Sequence, residues 1–338
     1  MPDQRPVAVR SSTPVPGGRP PAGRPAGAVG VVAVLGGTGF VGAAVVAELR
    51  RRAIEVRTVT APRITWPAGQ PYDARPPGAP HPDLVDRLAR HLDGAQVVVN
   101  AAGMPEGTAP AGPSLYGANA LLPALVAGAC AAARVRRYVH LSSAVVQGRK
   151  PLDETARTDP FSPYSHSKAL GERMLLAEPV VDQALFRSTW VHDVGRRNTG
   201  SLIRLARSPL ACVAGDGGAP TPQVLIGDIA ASVAHLVCAP GPVPPIVLQP
   251  ASGMTTGLLL RLLGDREPRR VPHRAARAAV RGLHGYGRLG SRARAHARRA
   301  EMLLFGRAQV PGWLASQGVV PELRPEAWRR LAAAERAA

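Results

Sequence analysis

The stretch VGVVAVLGGTGFVG, from Val29 to Gly42, predicts the fold of this chain. Val29–Leu35 is a nearly continuous β-branched run, as expected of a strand buried in a parallel sheet. The glycine turn Gly36-Gly37-Thr38-Gly39-Phe40-Val41-Gly42 follows, and the pattern from Val41 to Arg52 is helical. Glycines three apart permit a tight turn and let backbone amides approach a pyrophosphate at the helix N-terminus. The stretch predicts either a dinucleotide-binding unit or a purely structural strand-to-helix turn.

Short apolar strands and helical patterns alternate downstream of this turn. We expect further strands at Glu55–Thr60, Ala95–Asn100, Arg137–Ser142, Gln183–Arg187 and Ile246–Gln249. We expect helices at Leu84–Leu92 (with Asp83 as its N-cap), Gly117–Ala133, Pro163–Ala177, Ile226–Val237 and, as a basic helical tract, Arg266–Arg307. This alternation predicts an α/β fold with a doubly wound parallel sheet, the Rossmann architecture.

The chain divides into three predicted parts. Residues 1–28 are rich in Pro, Gly, Arg and Ser without an apolar core segment, so we expect a disordered leader and not a secretory signal. Residues 29–190 form the predicted NAD(P)-binding Rossmann domain. Residues 191–338 are expected to complete the sheet and form a smaller substrate lobe over its C-terminal edge, where such folds bind ligands.

Composition restricts the classes of function. The three cysteines, Cys130, Cys212 and Cys238, are widely spaced, which argues against disulfides and a zinc site and indicates a reducing, cytoplasmic setting. We expect no metal and, because no stretch reaches the roughly 18 apolar residues of a membrane span, no membrane.

The net charge of +19 has three readings. It can be a solvated, composition-driven surface, or it can attract an anionic small molecule. A nucleic-acid partner is disfavoured because no aromatic residues interleave with the arginines.

The segment Tyr164-Ser165-His166-Ser167-Lys168 points to the chemistry. The chain holds only two lysines, Lys150 and Lys168, against roughly 40 arginines. Lysine is a compact charge with a tunable pKa, which arginine is not. A lysine one helical turn from a tyrosine indicates proton transfer beside a nucleotide cofactor.

The residues at the end of the second strand indicate whether such a fold binds NAD or NADP. An acid there would hold the ribose 2′-hydroxyl of NAD, but the chain reads Val59-Thr60-Ala61-Pro62-Arg63. Arg63 can pair with the 2′-phosphate of NADP, or it can be an ordinary loop arginine. The sequence favours NADP over NAD.

The chain resembles the extended short-chain dehydrogenases/reductases, the NAD-dependent epimerase/dehydratase family. The resemblance is carried by the glycine turn, Asn100–Gly103, Asn119, Leu141–Ala144 and Pro163–Lys168, and it extends to Gly227-Asp228-Ile229-Ala230. It implies an enzyme in which Tyr164 is the general acid/base and Lys168 lowers its pKa and binds the nicotinamide ribose. Ser143, just beyond its strand, would hydrogen-bond the reacting oxygen, and Asn119 would orient the helix backbone or a relay water.

The same resemblance implies cofactor contacts and partners. The cofactor-binding residues would be Gly36, Gly39, Phe40, Val41, Gly42, Arg63, Ala101, Ala102, Tyr164 and Lys168. A small-molecule substrate is expected, possibly nucleotide-linked, and a homodimer is possible by analogy with the family. Each of these residues also has a purely structural interpretation. Tyr164 and Lys168 would then be surface side chains, Ser143 would form a turn, and Asn119 would pack between helices.

Departures from the family pattern bear on the substrate. Gln147 replaces a usual tyrosine, and Ser188–Asp193 differ from the usual sequence on the nicotinamide and substrate side. Ala144-Val145 replaces the acidic pair of dehydratases. The segments Val98-Val99-Asn100-Ala101-Ala102 and Pro151-Leu152-Asp153-Glu154 also resemble the reductases of nucleotide-linked 4-keto-6-deoxysugars. The resemblance implies an NAD(P)-dependent oxidoreductase acting on a nucleotide-activated sugar, by 4-keto reduction ahead of epimerisation. The alternatives are a reductase of a non-sugar ketone or aldehyde and a non-catalytic NAD(P)-binding regulator.

Overall fold

The computed structural model of the protein describes residues 29–72, 81–105, 111–148, 151–179, 181–286 and 291–337. The predicted disordered leader, residues 1–28, lies outside the described residues.

A six-stranded parallel sheet forms the centre of the molecule, with the strand order β2-β1-β3-β4-β5-β9. Its strands are β1 (Val32–Leu35), β2 (Val56–Val59), β3 (Val97–Asn100), β4 (Arg137–Ser143), β5 (Asp182–Ser188) and β9 (Ile246–Leu248). Two parallel pairs lie outside it: β6 (Trp190–His192) with β8 (Gln223–Leu225), and β7 (Cys212–Ala214) with β10 (Arg269–Val271).

Helices cover both faces of the sheet. Those that pack on its central strands include α1 (Phe40–Arg51), α2 (Pro82–Leu92), α4 (Leu122–Ala132), α5 (Pro163–Ala177) and α7 (Ile226–Cys238). The other helices of the described residues are α3 (Pro113–Tyr116), α6 (Arg197–Arg207), α8 (Thr256–Gly264), α9 (His273–Tyr286), α10 (Ser291–Phe305), α11 (Trp313–Ser316) and α12 (Pro325–Ala337). A π-helical segment, Gly117–Leu121, joins α3 to α4.

Alternate residues of each central strand enter opposite cores, as a strand's period of two requires. In β1, Ala33 and Leu35 pack with α2, α4 and α5, whereas Val32 and Val34 pack with α1 and α7. A third core lies among α6, α8 and α12. Helices on both faces of an all-parallel sheet are the predicted doubly wound α/β fold, which is confirmed.

Two predictions about the helices are wrong. Asp83 is not the N-cap of α2: the helix begins at Pro82, a residue favoured at the first helical position, and His81 precedes it. The tract from Arg266 to Arg307 is not one helix, because it includes β10 and separate helices α9 and α10. Pro268 and Pro272 flank β10, and proline disrupts a helix interior.

The apolar run Pro113–Ala132 is longer than predicted, because the helix starts at Pro113 and continues through the π-helical segment. It is the one described run that is long and apolar enough to cross a membrane. Of its apolar window, 72% is buried inside the protein. That burial is typical of a core helix.

Candidate active site

The glycine turn fits an anionic ligand at the start of α1. Gly36 has φ +73°, a left-handed conformation that favours glycine, and its carbonyl accepts a hydrogen bond from Gly39 N at 2.9 Å. A Cβ on Gly42 would lie 2.1 Å from the Gly36 oxygen. No side chain caps α1 and its first turn holds no acid. The amides at Phe40 and Val41 are therefore placed for a phosphate, which the helix dipole would stabilise.

The segment after β3 packs directly against this turn. A Cβ on Gly36 would lie 2.6 Å from Ala102 N, so the two backbones are in contact. The Asn100 side chain fixes the segment: its Oδ1 accepts from Ala102 N at 3.0 Å, and its Nδ2 donates to the Tyr138 hydroxyl at 3.1 Å. Ala101 and Ala102 thus lie beside the turn at the carboxyl end of neighbouring strands, where doubly wound folds bind ligands.

Helix α5 begins with a reciprocal cap that sets the position of Tyr164. Ser162 Oγ accepts from Ser165 N at 3.2 Å, and Ser165 Oγ accepts from Ser162 N at 2.8 Å. Pro163 occupies the first helical position. Tyr164 follows it and is half-buried. This local sequence explains why the helix starts where the sequence predicts.

Lys168, one turn further along α5, is buried beside the end of β4. Its Nζ donates to the Leu141 carbonyl oxygen at 2.9 Å, and the residue is 5% exposed. Burial lowers the pKa of Lys168 to about 8, an effect that Glu172 partly opposes. The ammonium therefore remains largely protonated at neutral pH, where it can attract the charge of a deprotonated phenol.

Ser143 is the last residue of β4 and lies opposite Ser188 of β5 in the sheet register. The sequence predicted it just beyond the strand, so the strand is one residue longer. Ser143 is buried, and its Oγ accepts from Val145 N at 3.5 Å. Leu141, the acceptor of the Lys168 hydrogen bond, lies two residues earlier on the same strand. Ser143 and Lys168 thus share the carboxyl end of β4.

Asn119 lies in the π-helical segment and is fully buried. Its Oδ1 accepts from Met104 N at 2.9 Å, and its Nδ2 donates to the Met104 carbonyl at 3.1 Å and to Ser167 Oγ at 3.1 Å. A Cβ on Gly103 would lie 2.8 Å from Asn119 Oδ1 and 3.3 Å from Lys168 Nζ. Asn119 therefore ties the segment after β3 to α5 beside Lys168.

Arg196, which no sequence motif marks, also lies at this site. Its Cζ is 4.1 Å from the centre of the Phe40 ring. Burial lowers its pKa, while Tyr164 and Asp193 oppose that shift. The contact with Phe40 joins residues far apart in sequence, and nothing local in the pattern around Arg196 predicts it.

A small cavity begins next to Ser143, with a free volume of about 20 Å³. Its lining includes Ala144, Thr189, Trp190 and Arg307. The Thr189 hydroxyl is buried and has no hydrogen-bond partner among the residues that the structure describes. Burial and then repulsion from Arg298 lower the pKa of Arg307 to about 9, against the attraction of Asp159.

Ser188–Asp193, the predicted substrate-side segment, has two structural roles. Ser188, Thr189 and Trp190 line the cavity. His192 points into the C-terminal region, where it contacts Thr199 Oγ1 at 3.1 Å and Gln223 Oε1 at 2.6 Å.

Gln147 ends the short helical turn Ala144–Gln147 that Ser143 caps. Gln147 bonds Asp153, donating from Nε2 to Oδ1 at 2.6 Å, and so fixes the loop after β4. Arg63 is exposed in the segment after β2. Across the described residues, no cluster of three or more His, Cys, Asp or Glu is arranged to hold a metal ion.

Residues 32–179 match the model of the NAD dependent epimerase/dehydratase family. This part of the chain belongs to that family. The match spans the glycine turn, Asn119, Ser143, Tyr164 and Lys168, and it confirms the predicted family and the class of NAD-dependent enzyme. Comparison of the sequence with curated proteins gives no match.

Solved structures with the same fold include three that hold a nicotinamide or nucleotide ligand. MoeE5 in complex with UDP-glucuronic acid and NAD is 20% identical, with a TM-score of 0.58 over 91% of this chain and 99% of that one. Human epimerase family protein SDR39U1 with NADPH is 22% identical, with a TM-score of 0.59 over 90% and 99%. DesIV, the dTDP-glucose 4,6-dehydratase of Streptomyces venezuelae, with NAD and TYD bound, is 19% identical, with a TM-score of 0.60 over 91% and 97%. At these identities the likeness shows the fold.

Proposed function

We propose that the protein is an NAD(P)-dependent oxidoreductase that acts on a carbonyl or secondary alcohol of a nucleotide-activated sugar, by 4-keto reduction or epimerisation. The observation that carries the proposal is the buried Lys168, one turn from Tyr164 and hydrogen-bonded at 2.9 Å to the strand that ends in Ser143. Burying a cation costs free energy, so a buried lysine near a tyrosine indicates a functional role. Proton transfer by the tyrosine needs such a cation.

The roles of the three side chains follow from their chemistry. A free phenol has a pKa of about 10, so it is a poor base near neutrality. The Lys168 ammonium favours the phenolate, and Tyr164 can then take a proton from an alcohol or return one to a carbonyl oxygen. Ser143 would donate a hydrogen bond to the same oxygen. Bound NAD(P) supplies the hydride acceptor or donor at the substrate carbon.

Two buried arginines support an anionic substrate. Arg307 lines the cavity beside Ser143, and Arg298, which is also buried, is close enough to lower its pKa. Guanidinium groups suit phosphate oxygens because they donate in a planar fork. MoeE5 and DesIV, which share the fold, bind UDP-glucuronic acid and TYD respectively. The diphosphate of a nucleotide-activated sugar is therefore the substrate feature that we propose Arg307 serves, while Arg298 is paired with Glu301 at 2.7 Å and adds positive charge nearby.

The size and lining of the cavity favour a second candidate, a reductase of a smaller non-sugar ketone or aldehyde. Its free volume of about 20 Å³ is room for little more than a water molecule. Its apolar lining includes Val145, Trp190 and Met302. A sugar nucleotide would require this region to open.

We propose NADP as the preferred cofactor. No acid follows β2, and Arg63 is exposed four residues beyond its end, where it can reach a 2′-phosphate. Arg63→Gln should weaken binding of NADPH and leave that of NADH unchanged, measured by nicotinamide fluorescence. Equal affinities of the variant and the wild type for NADPH would refute this assignment.

The experiment that tests the proposed function is a substrate panel. The protein is incubated with NADPH or NADH and either a nucleotide-linked 4-keto-6-deoxysugar or a non-sugar ketone, and oxidation of the nicotinamide is followed by absorbance. Separate reactions with NAD and UDP-glucuronic acid or UDP-glucose are analysed for the epimer by chromatography. Turnover that Ser143→Ala reduces supports the proposal. Tight cofactor binding without turnover of any substrate would favour the non-catalytic regulator instead.

A further inference from the structure

Arg196 holds a position between the two parts of the site. It immediately precedes α6, and its guanidinium stacks over Phe40, with Cζ 4.1 Å from the ring centre. Phe40 is the first residue of α1, directly after the Gly39 N-cap. The charge of Arg196 also interacts with Tyr164. The guanidinium therefore lies at the N-terminus of α1, on the side of the catalytic tyrosine.

The electrostatics of this position require a negative partner. A helix N-terminus carries a partial positive charge, which disfavours a cation beside it. Within the part of the chain that the structure describes, no carboxylate forms a salt bridge with Arg196, and the first turn of α1 has no acid. Asp193 attracts the guanidinium at longer range. The Phe40 ring stabilises the cation and orients it, but a ring face neutralises no charge.

We infer that Arg196 binds the pyrophosphate of the dinucleotide cofactor beside the glycine turn. The inference rests on the proposed function, because it needs a dinucleotide at this site. A bound dinucleotide has to pass from the α1 N-terminus to Tyr164, and Arg196 contacts the first residue of α1 and interacts electrostatically with Tyr164.

Arginine is suited to this task for two reasons. Its fork of N–H donors can bond two phosphate oxygens at once, and hydrogen bonds between charged groups are stronger than neutral ones. Its stem and planar group can remain on Phe40 while the donors face the phosphates. The amides of Phe40 and Val41 and the guanidinium of Arg196 would then hold the pyrophosphate from two elements distant in sequence.

The test compares Arg196→Met with Arg197→Met. Methionine keeps an apolar stem over Phe40 and removes the charge, and Arg197, the exposed first residue of α6, is a matched control. NADH and NADPH binding is measured by nicotinamide fluorescence, and ADP-ribose and adenosine are used as competitors. ADP-ribose carries the pyrophosphate without nicotinamide, and adenosine carries neither.

Arg196→Met should weaken ADP-ribose binding about tenfold or more, because hydrogen bonds to a charged group are lost. Adenosine binding should stay unchanged. Arg197→Met should match the wild type for both. The affinity of Arg196→Met for ADP-ribose should also depend less on salt than that of the wild type. Arg196→Lys keeps the charge but not the forked donors, so its affinity for ADP-ribose should lie between those of Arg196→Met and the wild type. This variant replaces Arg196→Met in the test if the methionine variant is unstable.

Unchanged ADP-ribose affinity in both Arg196 variants would overturn the inference, as would an equal loss for adenosine. If the wild type bound neither NADH nor NADPH, the proposed function would be overturned, and the inference about Arg196 with it.

Discussion

At Lys168 the requirements of stability and of chemistry oppose each other. Burial lowers the pKa of this lysine to about 8, so the folded protein pays to keep it charged at neutral pH. The sole hydrogen bond from its Nζ among the described residues runs to the Leu141 carbonyl. If packing were the only requirement at this buried position, an apolar side chain would give a more stable protein than lysine does. We therefore attribute the charge to the needs of Tyr164.

Lys168→Met should lower the turnover rate by about 100-fold or more, because the phenolate loses its neighbouring cation. The stability difference should depend on pH in a defined direction. The folded pKa of the lysine is depressed, so its stability contribution is full above the unfolded pKa and is lost as pH falls through about 8. Relative to the variant, the wild type should gain unfolding free energy between pH 8 and 10, by at most about 1.4 kcal/mol per pH unit. Denaturant titrations at several pH values measure this, and a constant difference would contradict the burial.

Local sequence predicted the candidate site residues that share one helix, and it missed a candidate whose contact joins distant parts of the chain. Tyr164 and Lys168 are one turn apart on a helix whose bounds, Pro163–Ala177, the sequence predicted correctly because a capping serine and a proline mark its start. Arg196 belongs to the site through a contact with Phe40, far away in the chain, and no local pattern encodes such a contact.

At the scale of elements, the glycine turn determines how closely α1 approaches β1. A Cβ on Gly42 would lie 2.1 Å from the Gly36 oxygen, so any side chain there must displace the helix from the turn. The turn was the clearest signal in the sequence, because its glycines are required by backbone contacts within the same short segment. The sequence does not predict the short strands β6, β7 and β8. Each has only three residues and is a strand because it pairs with another strand, and not because of its composition.

Gly42→Ala should therefore destabilise the protein by about 2 kcal/mol and abolish tight binding of NADH and NADPH. Gly227→Ala is the control: outside its own helical turn, no atom of the described residues lies within 4 Å of the added Cβ, and alanine favours the helix. Thermal unfolding and nicotinamide fluorescence report the two effects. If Gly42→Ala bound the cofactor as tightly as Gly227→Ala, the account of the turn would be wrong.

The start of α5 can be tested separately. Ser162→Ala removes the acceptor of the Ser165 amide and should cost about 1 kcal/mol of unfolding free energy. Since Tyr164 lies in the first turn, turnover should fall more than cofactor affinity does. A loss of stability without any change in turnover would show that the cap does not position the tyrosine.

At the scale of the whole molecule, a buried ion pair joins the sheet, α5 and the loop after β4. Arg187 is fully buried and bonds both oxygens of Glu172, with Nη2 to Oε2 at 2.7 Å. Arg187 also donates to the carbonyls of Asp153 and Thr155. This one arginine therefore connects β5 to the helix that carries Tyr164 and to the loop near the cavity.

Arg187→Met should cost about 3–5 kcal/mol of unfolding free energy, because it leaves the Glu172 carboxylate buried without its partner. The double variant Arg187→Met/Glu172→Met should recover part of that loss, since the carboxylate that Arg187→Met leaves without its ion-pair partner is then removed as well. Urea unfolding of the two single variants, the double variant and the wild type measures the coupling. Strictly additive effects would contradict a paired role.

The central claim is that Tyr164 transfers the proton during hydride transfer, and Tyr164→Phe tests it most directly. The measurement is a single-turnover reaction with saturating NADPH or NADH and the substrate that the wild type turns over, with the exposed Tyr286→Phe as control. The rate of nicotinamide oxidation should fall by about 100-fold or more in Tyr164→Phe while cofactor affinity stays within about twofold. Tyr286→Phe should match the wild type. A Tyr164→Phe rate equal to that of the wild type would contradict the proposed mechanism.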